Sequence, residues 1–320
     1  MYKRFYNLQR NPFEITPDPS FLFPTRGHNE ALASLYYGVQ QRKGFLVMTG
    51  EVGTGKTLIV RCLLELLSRQ RIAYAYVYHS RLSAEEFLRY IGGDLGLAVS
   101  NKSKAELLLD LGDYLIARHQ KRLATVLVVD EAHHLSSEVL EEVRLLTNLE
   151  TAQQKLLQIL LVGQPELDQK IDSFDLRQLK QRIALRSHLT PLEEKETTAY
   201  IRRRLHLAGA TATAASIFPD ESTELVYRHS RGIPRLINTI CENALISSYA
   251  KQGRVISPET IEEVASELRL GVVSKPADDY NDDQSRGLRE AARTLLEFSQ
   301  FLQAARAQKS EVSMAVPEHK

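Results

Sequence analysis

The apolar positions of the chain follow two different patterns, and the first gives way to the second near residue 190. Between residues 45 and 163, short and almost continuous apolar runs alternate with stretches in which apolar residues recur every three or four positions. This alternation predicts βαβ units and therefore a parallel sheet with helices on its faces. The runs are FLVMTG from Phe45, AYAYVY from Ala73, TVLVVD from Thr125 and LQILLVG from Leu157.

After Leu189, helical start and stop signals replace the strand pattern. Thr190 as N-cap and Pro191 at the first helical position predict a helix that runs to about Ala208 and ends before Gly209. The same kinds of signal predict three further helices and so a small all-helical lid domain. These helices begin at Asp220, after Pro234 and after Ser257.

The pattern divides the chain into six segments, of which the first is rich in proline and aromatic residues and predicts an arm packed on the body. Near the C-terminus, apolar residues at spacings of three and four predict an amphipathic helix. Two interpretations of this helix remain open: it docks on its own domain, or it binds a partner. The segments are an arm at 1–27, an α/β domain at 28–189, a helical lid at 190–270, a flexible linker at 271–287, the amphipathic helix at 288–306 and a disordered tail at 307–320.

Composition excludes several classes of protein. In 320 residues, 43% are hydrophobic and 25% are charged, which is typical of a folded globular chain. The 41 Lys and Arg against 40 Asp and Glu leave a formal net charge of +1, so no global field favours nucleic acid. Cys62 and Cys241 form no metal or redox motif, and no apolar run approaches the ~18 residues of a transmembrane helix. We therefore expect a cytoplasmic protein, or one held at the inner membrane through a partner.

A glycine-rich motif, G-x-x-x-x-G-K-T, lies between the first strand and a helix, the context of a phosphate-binding loop. Glycines let backbone N–H groups turn towards phosphates, Lys56 reaches the terminal phosphates, and the Thr57 hydroxyl binds Mg²⁺. The motif therefore predicts a site for ATP with Mg²⁺. Its residues are Gly50, Glu51, Val52, Gly53, Thr54, Gly55, Lys56 and Thr57, with Leu58 following.

Two carboxylates follow the strand that begins at Thr125. The carboxyl ends of parallel strands share one edge of a sheet, so Asp130 would lie beside the phosphate loop and hold Mg²⁺ or its water. Glu131 would then polarise the attacking water. This pair predicts hydrolysis of ATP rather than binding alone. His133 and His134 are adjacent on a predicted helix and do not share a face, so we assign them surface or supporting roles.

Polar residues farther along the chain are further candidates. Gln164 follows a buried strand, where its amide could orient the lytic water or contact the γ-phosphate; a plain turn before Pro165 is the alternative. Three arginines before the lid suit stabilisation of phosphoryl-transfer charge in a neighbouring subunit, with ordinary surface arginines as the alternative. These are Arg177, Arg182 and Arg186, the last two predicted to share a helix face at i and i+4. Arg235, at the start of a lid helix in Gly-Ile-Pro-Arg, could report the γ-phosphate.

Taken together, these motifs resemble those of AAA+ ATPases, and the segments around them are similar to the general secretion pathway protein A family. The similar segments are MYKRFYNLQRNPFEITPDPSFLF, HNEALASLYYGVQQRKGFLVMTGEVGTGKT, VVDEAHHL, ILLVGQPEL, LKQRIALRSHLTPL and RGIPRLINTICENALISSYA. The resemblance covers residues 1–269. It implies a P-loop NTPase fold with a parallel five-stranded sheet flanked by helices and a small helical lid.

The resemblance also implies roles for single residues. Lys56 and Thr57 would bind phosphate and Mg²⁺, and Asp130 and Glu131 would serve Mg²⁺ binding and hydrolysis. Gln164 and Arg235 would be the two sensors, the residues that contact the γ-phosphate. Arg182 would be the arginine finger that acts in the neighbouring subunit's site, with Arg177 and Arg186 as alternatives to it. The protein would thus be an Mg²⁺-dependent ATPase assembled as a ring or helical filament.

Three interpretations of the function follow. Members of the family continue into a transmembrane helix and a peptidoglycan-binding domain, whereas a polar segment follows residue 270 here, so we expect a short form acting through a protein partner of a secretion or exopolysaccharide export system. The same ATPase branch also resembles target-selecting regulators of transposition, and the run Arg202–Arg204 with Arg228 and Arg231 would then face duplex DNA; a solvated helix face is the alternative for this run. The third interpretation is a switch that hydrolyses ATP slowly.

Overall fold

The computed structural model describes residues 2–78, 81–210 and 214–270. Five strands form the sheet: β1 Phe45–Gly50, β2 Ala73–Val77, β3 Thr125–Val129, β4 Leu157–Gly163 and β5 Leu185–Leu189. The helices are α1 Tyr2–Phe5, α2 Arg26–Gln40, α3 Lys56–Ser68, α4 Ala84–Asp94, α5 Lys104–Gln120, α6 Ser137–Leu146, α7 Pro165–Ile171, α8 Arg177–Lys180, α9 Glu194–Leu207, α10 Ala214–Ile217, α11 Asp220–Ser230, α12 Pro234–Ala250 and α13 Pro258–Glu267.

The sheet has the strand order β2-β3-β4-β1-β5, and every neighbouring pair is parallel. In register, Val47 of β1 lies between Leu161 of β4 and Arg186 of β5. The first strand therefore lies inside the sheet, and its carboxyl end lies beside those of β4 and β5, with β3 one strand beyond β4. The predicted parallel five-stranded sheet is confirmed.

Both faces of the sheet are covered, which explains why its central strands are apolar without interruption. Phe45 and Val47 point into one core together with residues of α4 to α8. Leu46 and Met48, the alternate positions, point into a second core formed with α2 and α3. Each strand therefore contributes to two cores, as its period of two requires.

Two local predictions are wrong. Arg182 and Arg186 do not share a helix face, because α8 ends at Lys180 and Arg186 belongs to the edge strand β5. Thr190 is not an N-cap, because α9 begins at Glu194, where the Glu193 amide donates to Glu196 Oε2 at 3.0 Å. Residues 190–192 are instead drawn into an extended contact in which the Leu192 amide donates to the Gly232 carbonyl at 2.8 Å.

The later helices follow the predicted starts. The helices α11, α12 and α13 begin at Asp220, Pro234 and Pro258, and the Ser257 hydroxyl caps the last of them. The short helix α10 was not expected.

The N-terminal arm contacts both the helical region and the sheet region. Phe13 is fully buried and packs edge-to-face on Phe218, with ring centroids 5.9 Å apart. The Tyr2 hydroxyl donates to Glu242 Oε1 at 2.7 Å. On the other side, Arg61 of α3 donates to the Pro17 carbonyl at 2.7 Å. The arm thus spans the junction between the two regions.

Residues up to Leu268 form one compact unit. The boundaries at 27 and 189 therefore stay predictions, and the segments 271–287, 288–306 and 307–320 lie outside the described residues. Within the part of the chain that is described, no helix is both long enough and apolar enough to cross a bilayer.

Candidate functional site

The glycine-rich loop joins the inner strand β1 to α3, and its backbone has conformations that glycine allows. Gly53 and Gly55 have φ values of +83° and +102°, in the left-handed region that favours glycine. A side chain on Gly53 would also meet Cβ of Arg235 at 2.7 Å. Both the turn and the close approach therefore require glycine at this position.

Lys56 and Thr57, the first residues of α3, lie at the base of this loop. The Lys56 side chain is buried, and its ammonium donates to the carbonyls of Gly50 at 2.7 Å and Glu51 at 3.0 Å. Burial lowers the pKa of the Lys56 amino group, while the carboxylates of Glu131 and Asp130 oppose that shift. The ammonium is thus held at the base of the loop by two of its carbonyl groups.

Asp130 follows β3 directly, and its carboxylate is buried against the same loop. Its Oδ2 accepts hydrogen bonds from the Thr57 hydroxyl at 3.2 Å and from the Tyr76 hydroxyl at 2.7 Å. Its Oδ1 accepts from the Glu131 amide at 2.9 Å. Burial and the neighbouring Asp130 raise the pKa of Tyr76 well above its usual value, so the phenol stays protonated.

Glu131 adopts a strained backbone, with φ of +51° in a residue that is not glycine. Its Oε2 lies 3.4 Å from the Gln164 amide nitrogen and 3.5 Å from His133 Nδ1. The Gln164 amide nitrogen is also 3.0 Å from His133 Nε2. The structure therefore brings the residue after β4 against the second carboxylate after β3, at one edge of the sheet.

His133 and His134 belong to a 3₁₀ turn, in which their rings lie side by side with centroids 4.0 Å apart. Burial and the neighbouring His134 lower the pKa of His133. Together with Glu131 they offer ligand atoms within 4.8 Å of one another. The turn differs from the regular helix expected there, and it gathers the two imidazoles on one side.

Arg235, at the start of α12, lies against the glycine-rich loop. Its backbone amide donates to the Gly53 carbonyl at 3.2 Å, so the lid helix is joined to the phosphate loop. A cavity of about 400 Å³ lies between them. It is lined by the predicted residues Val52, Gly53, Gly55, Lys56, Thr57, Leu58, Glu131 and Arg235.

The remaining wall of this cavity was not predicted. It consists of arm residues Ile15, Thr16, Pro17 and Asp18 with Tyr200, Arg204, Pro234 and Asn238 of the helical region.

Arg204 is 5% exposed and donates to the Pro12 carbonyl at 2.8 Å. Its guanidinium stacks over the rings of Phe21 and Tyr200, while its Nε has no hydrogen-bond partner among the described residues. The sequence does contain a signal for Arg204, which falls on the buried face of α9 with Tyr200 and Ile201.

His28 supports the phosphate loop from behind. Its Nε2–H donates to the Thr54 carbonyl at 3.0 Å, and its Nδ1 accepts from the Thr25 hydroxyl at 2.6 Å. The two contacts fix the neutral tautomer, and burial lowers the pKa of His28. No sequence motif marks His28, which lies 22 residues before the glycine-rich motif that it contacts.

The three candidate finger arginines lie outside the cavity. Arg182 precedes β5 near the amino ends of the strands and donates to Thr147 Oγ1 at 2.9 Å. Arg186 pairs with Asp168 at 3.1 Å and with Asp172 at 3.3 Å. Arg177 is exposed, and its guanidinium lies 4.3 Å from the ring centre of Phe174, which is 76% exposed.

The basic run of α9 does not present three cations to solvent. Arg202 pairs with Asp220, and Arg204 is buried under the arm. Arg203 is exposed, as are Arg228 and Arg231 on and after α11.

Comparison with known proteins defines the class of this fold and site. Residues 39–171, which contain the phosphate loop and both carboxylates, match the AAA domain family model AAA_22. The chain also superposes on the Aeropyrum pernix ORC2 protein in its ADPNP–ADP complexes (TM-score 0.61, 17% identity, 81% of this chain and 72% of that one). Cdc6p of Pyrobaculum aerophilum gives a TM-score of 0.60 at 16% identity over 80% and 70% of the two chains. The protein therefore has the AAA+ P-loop fold that the sequence predicts.

A particular relationship follows from a curated relative. The chain is 44% identical over 269 residues to general secretion pathway protein A of Aeromonas hydrophila, across 84% of this chain and 48% of the relative. The resemblance inferred from the motifs is thereby confirmed, and the chain is a relative of general secretion pathway protein A. It spans about half the length of that protein.

Proposed function

We propose that the protein binds ATP in the 400 Å³ cavity and hydrolyses it. The observation that carries the proposal is the convergence of Lys56, Thr57, Asp130 and Glu131 at one edge of the sheet beside a glycine loop. Backbone N–H groups and an ammonium suit the phosphates of a nucleotide. A second carboxylate at the same edge suits activation of a water molecule.

The lid and the loop would both contact the nucleotide. Lys56 would pair with the terminal phosphates, and Arg235, on the opposite wall, would contact them from the lid. The apolar surface of Ile15, Leu58 and Tyr200 would receive the base. Glu131 would take a proton from the lytic water, with Gln164 holding its carboxylate.

The donor set beside the loop fits Mg²⁺. The Thr57 hydroxyl and the Asp130 carboxylate are oxygen donors 3.2 Å apart, and oxygen is the ligand that Mg²⁺ prefers. These two residues would hold the ion, directly or through its water. When bound, the ion would supply neutralisation of the negative charge on the phosphates.

Two variants test the site. Lys56→Ala should abolish binding of a fluorescent ATP analogue, because the phosphates lose their cation. Glu131→Gln should bind the analogue normally and lower phosphate release about 10² to 10⁴-fold, the usual contribution of a general base. Glu138→Gln, an exposed carboxylate of α6, is the matched control and should behave as the unmodified protein. Undiminished turnover in either site variant would refute the assignment.

We propose further that the active form is an oligomer in which an arginine acts in the neighbour's site. Arg182 is the candidate that the sequence favours, and the exposure of Arg177 makes it the second. An Arg182→Ala subunit should be inactive alone and regain turnover when mixed with Glu131→Gln, which supplies the arginine to an intact site. The same mixture made with Arg177→Ala identifies the alternative.

The partner proposed is a protein of an envelope export or secretion system, in line with the name of the curated relative. Solution mass of the Glu131→Gln variant with ATP and Mg²⁺, measured with and without duplex DNA at moderate salt, tests this. A discrete oligomer that DNA does not change supports a protein partner. Assembly that requires DNA supports the transposition-regulator alternative instead.

A further inference from the structure

Tyr76 contacts the proposed cation site although it belongs to none of the sequence motifs described above. It lies on the edge strand β2, where it pairs in register with Val128. Its hydroxyl donates to Asp130 Oδ2 at 2.7 Å, a shorter contact than the 3.2 Å from Thr57 to the same oxygen. A tyrosine on a neighbouring strand thus makes the closer of the two hydroxyl contacts to this carboxylate.

The surroundings of Tyr76 hold it in this position. The Asp94 carboxylate, at the end of α4, accepts a hydrogen bond from the Tyr76 backbone amide at 2.6 Å. That contact satisfies a donor which faces away from the ladder on an edge strand. Both the backbone and the hydroxyl of Tyr76 are therefore fixed by carboxylates.

Among the described residues, the Asp130 carboxylate has three hydrogen-bond donors. Tyr76 and Thr57 donate to Oδ2, and the Glu131 amide donates to Oδ1. Thr57 and Asp130 are the residues that would hold Mg²⁺, so Thr57 must serve the ion as well as Asp130. The Tyr76 hydroxyl would not bind the ion, so it can hold the plane of the Asp130 carboxylate both with and without the ion bound.

We infer that Tyr76 is a positioning residue for the divalent cation: its hydroxyl orients Asp130 and so sets the Mg²⁺ affinity of the nucleotide site. The inference rests on the proposed function. Partners behind a metal-binding carboxylate typically change metal affinity by about 10 to 100-fold when they are removed.

Tyr76→Phe removes the hydroxyl and keeps the ring. Binding of a fluorescent ATP analogue should be titrated with MgCl₂, and separately measured in the absence of a divalent cation. We expect the half-saturating Mg²⁺ concentration to rise about tenfold, with the cation-free affinity for the analogue unchanged. Tyr74→Phe, two residues earlier on the same strand and 41% exposed, is the matched control and should coincide with the unmodified protein.

A second MgCl₂ titration, of Asp130→Asn with and without Tyr76→Phe, distinguishes an effect through Asp130 from a general change in folding. If the hydroxyl acts through Asp130, Tyr76→Phe should add nothing to the Mg²⁺ midpoint of that variant. An equal tenfold shift in both backgrounds would overturn the inference, as would an unchanged or lowered midpoint in Tyr76→Phe itself.

Failure of the inference and failure of the proposed function are distinguishable. Mg²⁺-dependent binding in the unmodified protein, together with no effect of Tyr76→Phe, would refute the role of Tyr76 alone. Absence of any nucleotide binding by the unmodified protein would refute the proposed function.

Discussion

The two walls of the cavity are built in different ways. The wall at the sheet edge consists of residues that directly follow strands β1 and β3, so short segments of sequence place Lys56, Asp130 and Glu131 together. The opposite wall joins an N-terminal arm to helices more than 180 residues later, as the bond from Arg204 to the Pro12 carbonyl illustrates. The residues of the first wall therefore belong to short contiguous sequence motifs, whereas the second wall forms only through contacts between segments that are remote in sequence.

This difference indicates how the walls should respond to substitution. At the sheet edge, the proposed hydrolysis depends on single side chains held by a rigid fold. On the lid side, it depends on whether the arm, α9 and α12 are packed together. Substitutions behind the lid wall should therefore change stability and affinity before they change chemistry.

The largest effect is expected at Gly232, where the lid meets the segment before α9. A Cβ there would lie 1.9 Å from the Leu192 carbonyl oxygen, and φ is +73°. Gly232→Ala should lower the free energy of unfolding by about 4 kcal/mol or more, since backbone strain and a forced displacement add.

Gly96→Ala separates these two causes. Its φ of +81° imposes similar strain, yet no atom of the other described residues, its two chain neighbours aside, lies within 4 Å of the added methyl group. Urea unfolding followed by circular dichroism should show a cost of only about 1 to 2 kcal/mol. Equal costs for the two substitutions would show that the close contact at Gly232 is relieved easily.

A smaller effect is expected from loosening the arm. Arg204→Met keeps much of the apolar bulk but leaves the carbonyls of Pro12 and Glu14 without their donor. We expect affinity for the ATP analogue to fall about tenfold, roughly the loss of one charge-assisted hydrogen bond, because Ile15 to Asp18 line the cavity.

Arg203→Met is the matched control, one residue away and exposed. Fluorescence titration of the two variants under the same conditions gives the comparison. If both bind the analogue as tightly as the unmodified protein, the arm is not part of the binding site.

The smallest effect concerns pH and His28. Because burial lowers the pKa of His28 in the folded chain, the unfolded chain takes up a proton more readily as the pH falls below about 6.5. The contribution of neutral His28 to the free energy of unfolding is complete above that pH. It should decrease below that pH, by about 1.4 kcal/mol for each unit of difference between the folded and unfolded pKa values.

His28→Gln keeps an N–H donor without titrating. Its free energy of unfolding, measured by urea denaturation from pH 8 to 5, should depend less on pH than that of the unmodified protein. His133, whose pKa is also lowered, is present in both proteins, so the difference isolates His28. Parallel curves would show that His28 does not couple folding to protonation.

Much of the fold could be predicted because its signals are local. Burial of strands on both faces makes them continuous apolar runs, and a proline, serine or threonine lies at the start of most of the described helices. The apolar pattern does not predict the edge strand β5, because its apolar residues are separated by polar and charged ones, Arg186 and His188 among them. Its sequence does not differ enough from that of an exposed helix.

The placement of the candidate site residues divides in the same way. The glycine loop and the carboxylates after β3 are specified by consecutive residues, whereas Tyr76 and His28 reach their positions only through tertiary packing. No spacing rule in a single sequence connects Tyr76 to Asp130, 54 residues later. The register of two parallel strands makes that connection.

The bond from the Arg235 amide to the Gly53 carbonyl has a thermodynamic consequence. If nucleotide binding alters this contact, it alters the lid helix by the same event. Linkage is reciprocal: a partner that binds α12 and favours one position of the helix must change nucleotide affinity by the factor by which nucleotide changes the affinity for that partner. Measuring either affinity in the presence of the other ligand would therefore reveal how far the lid can transmit a signal.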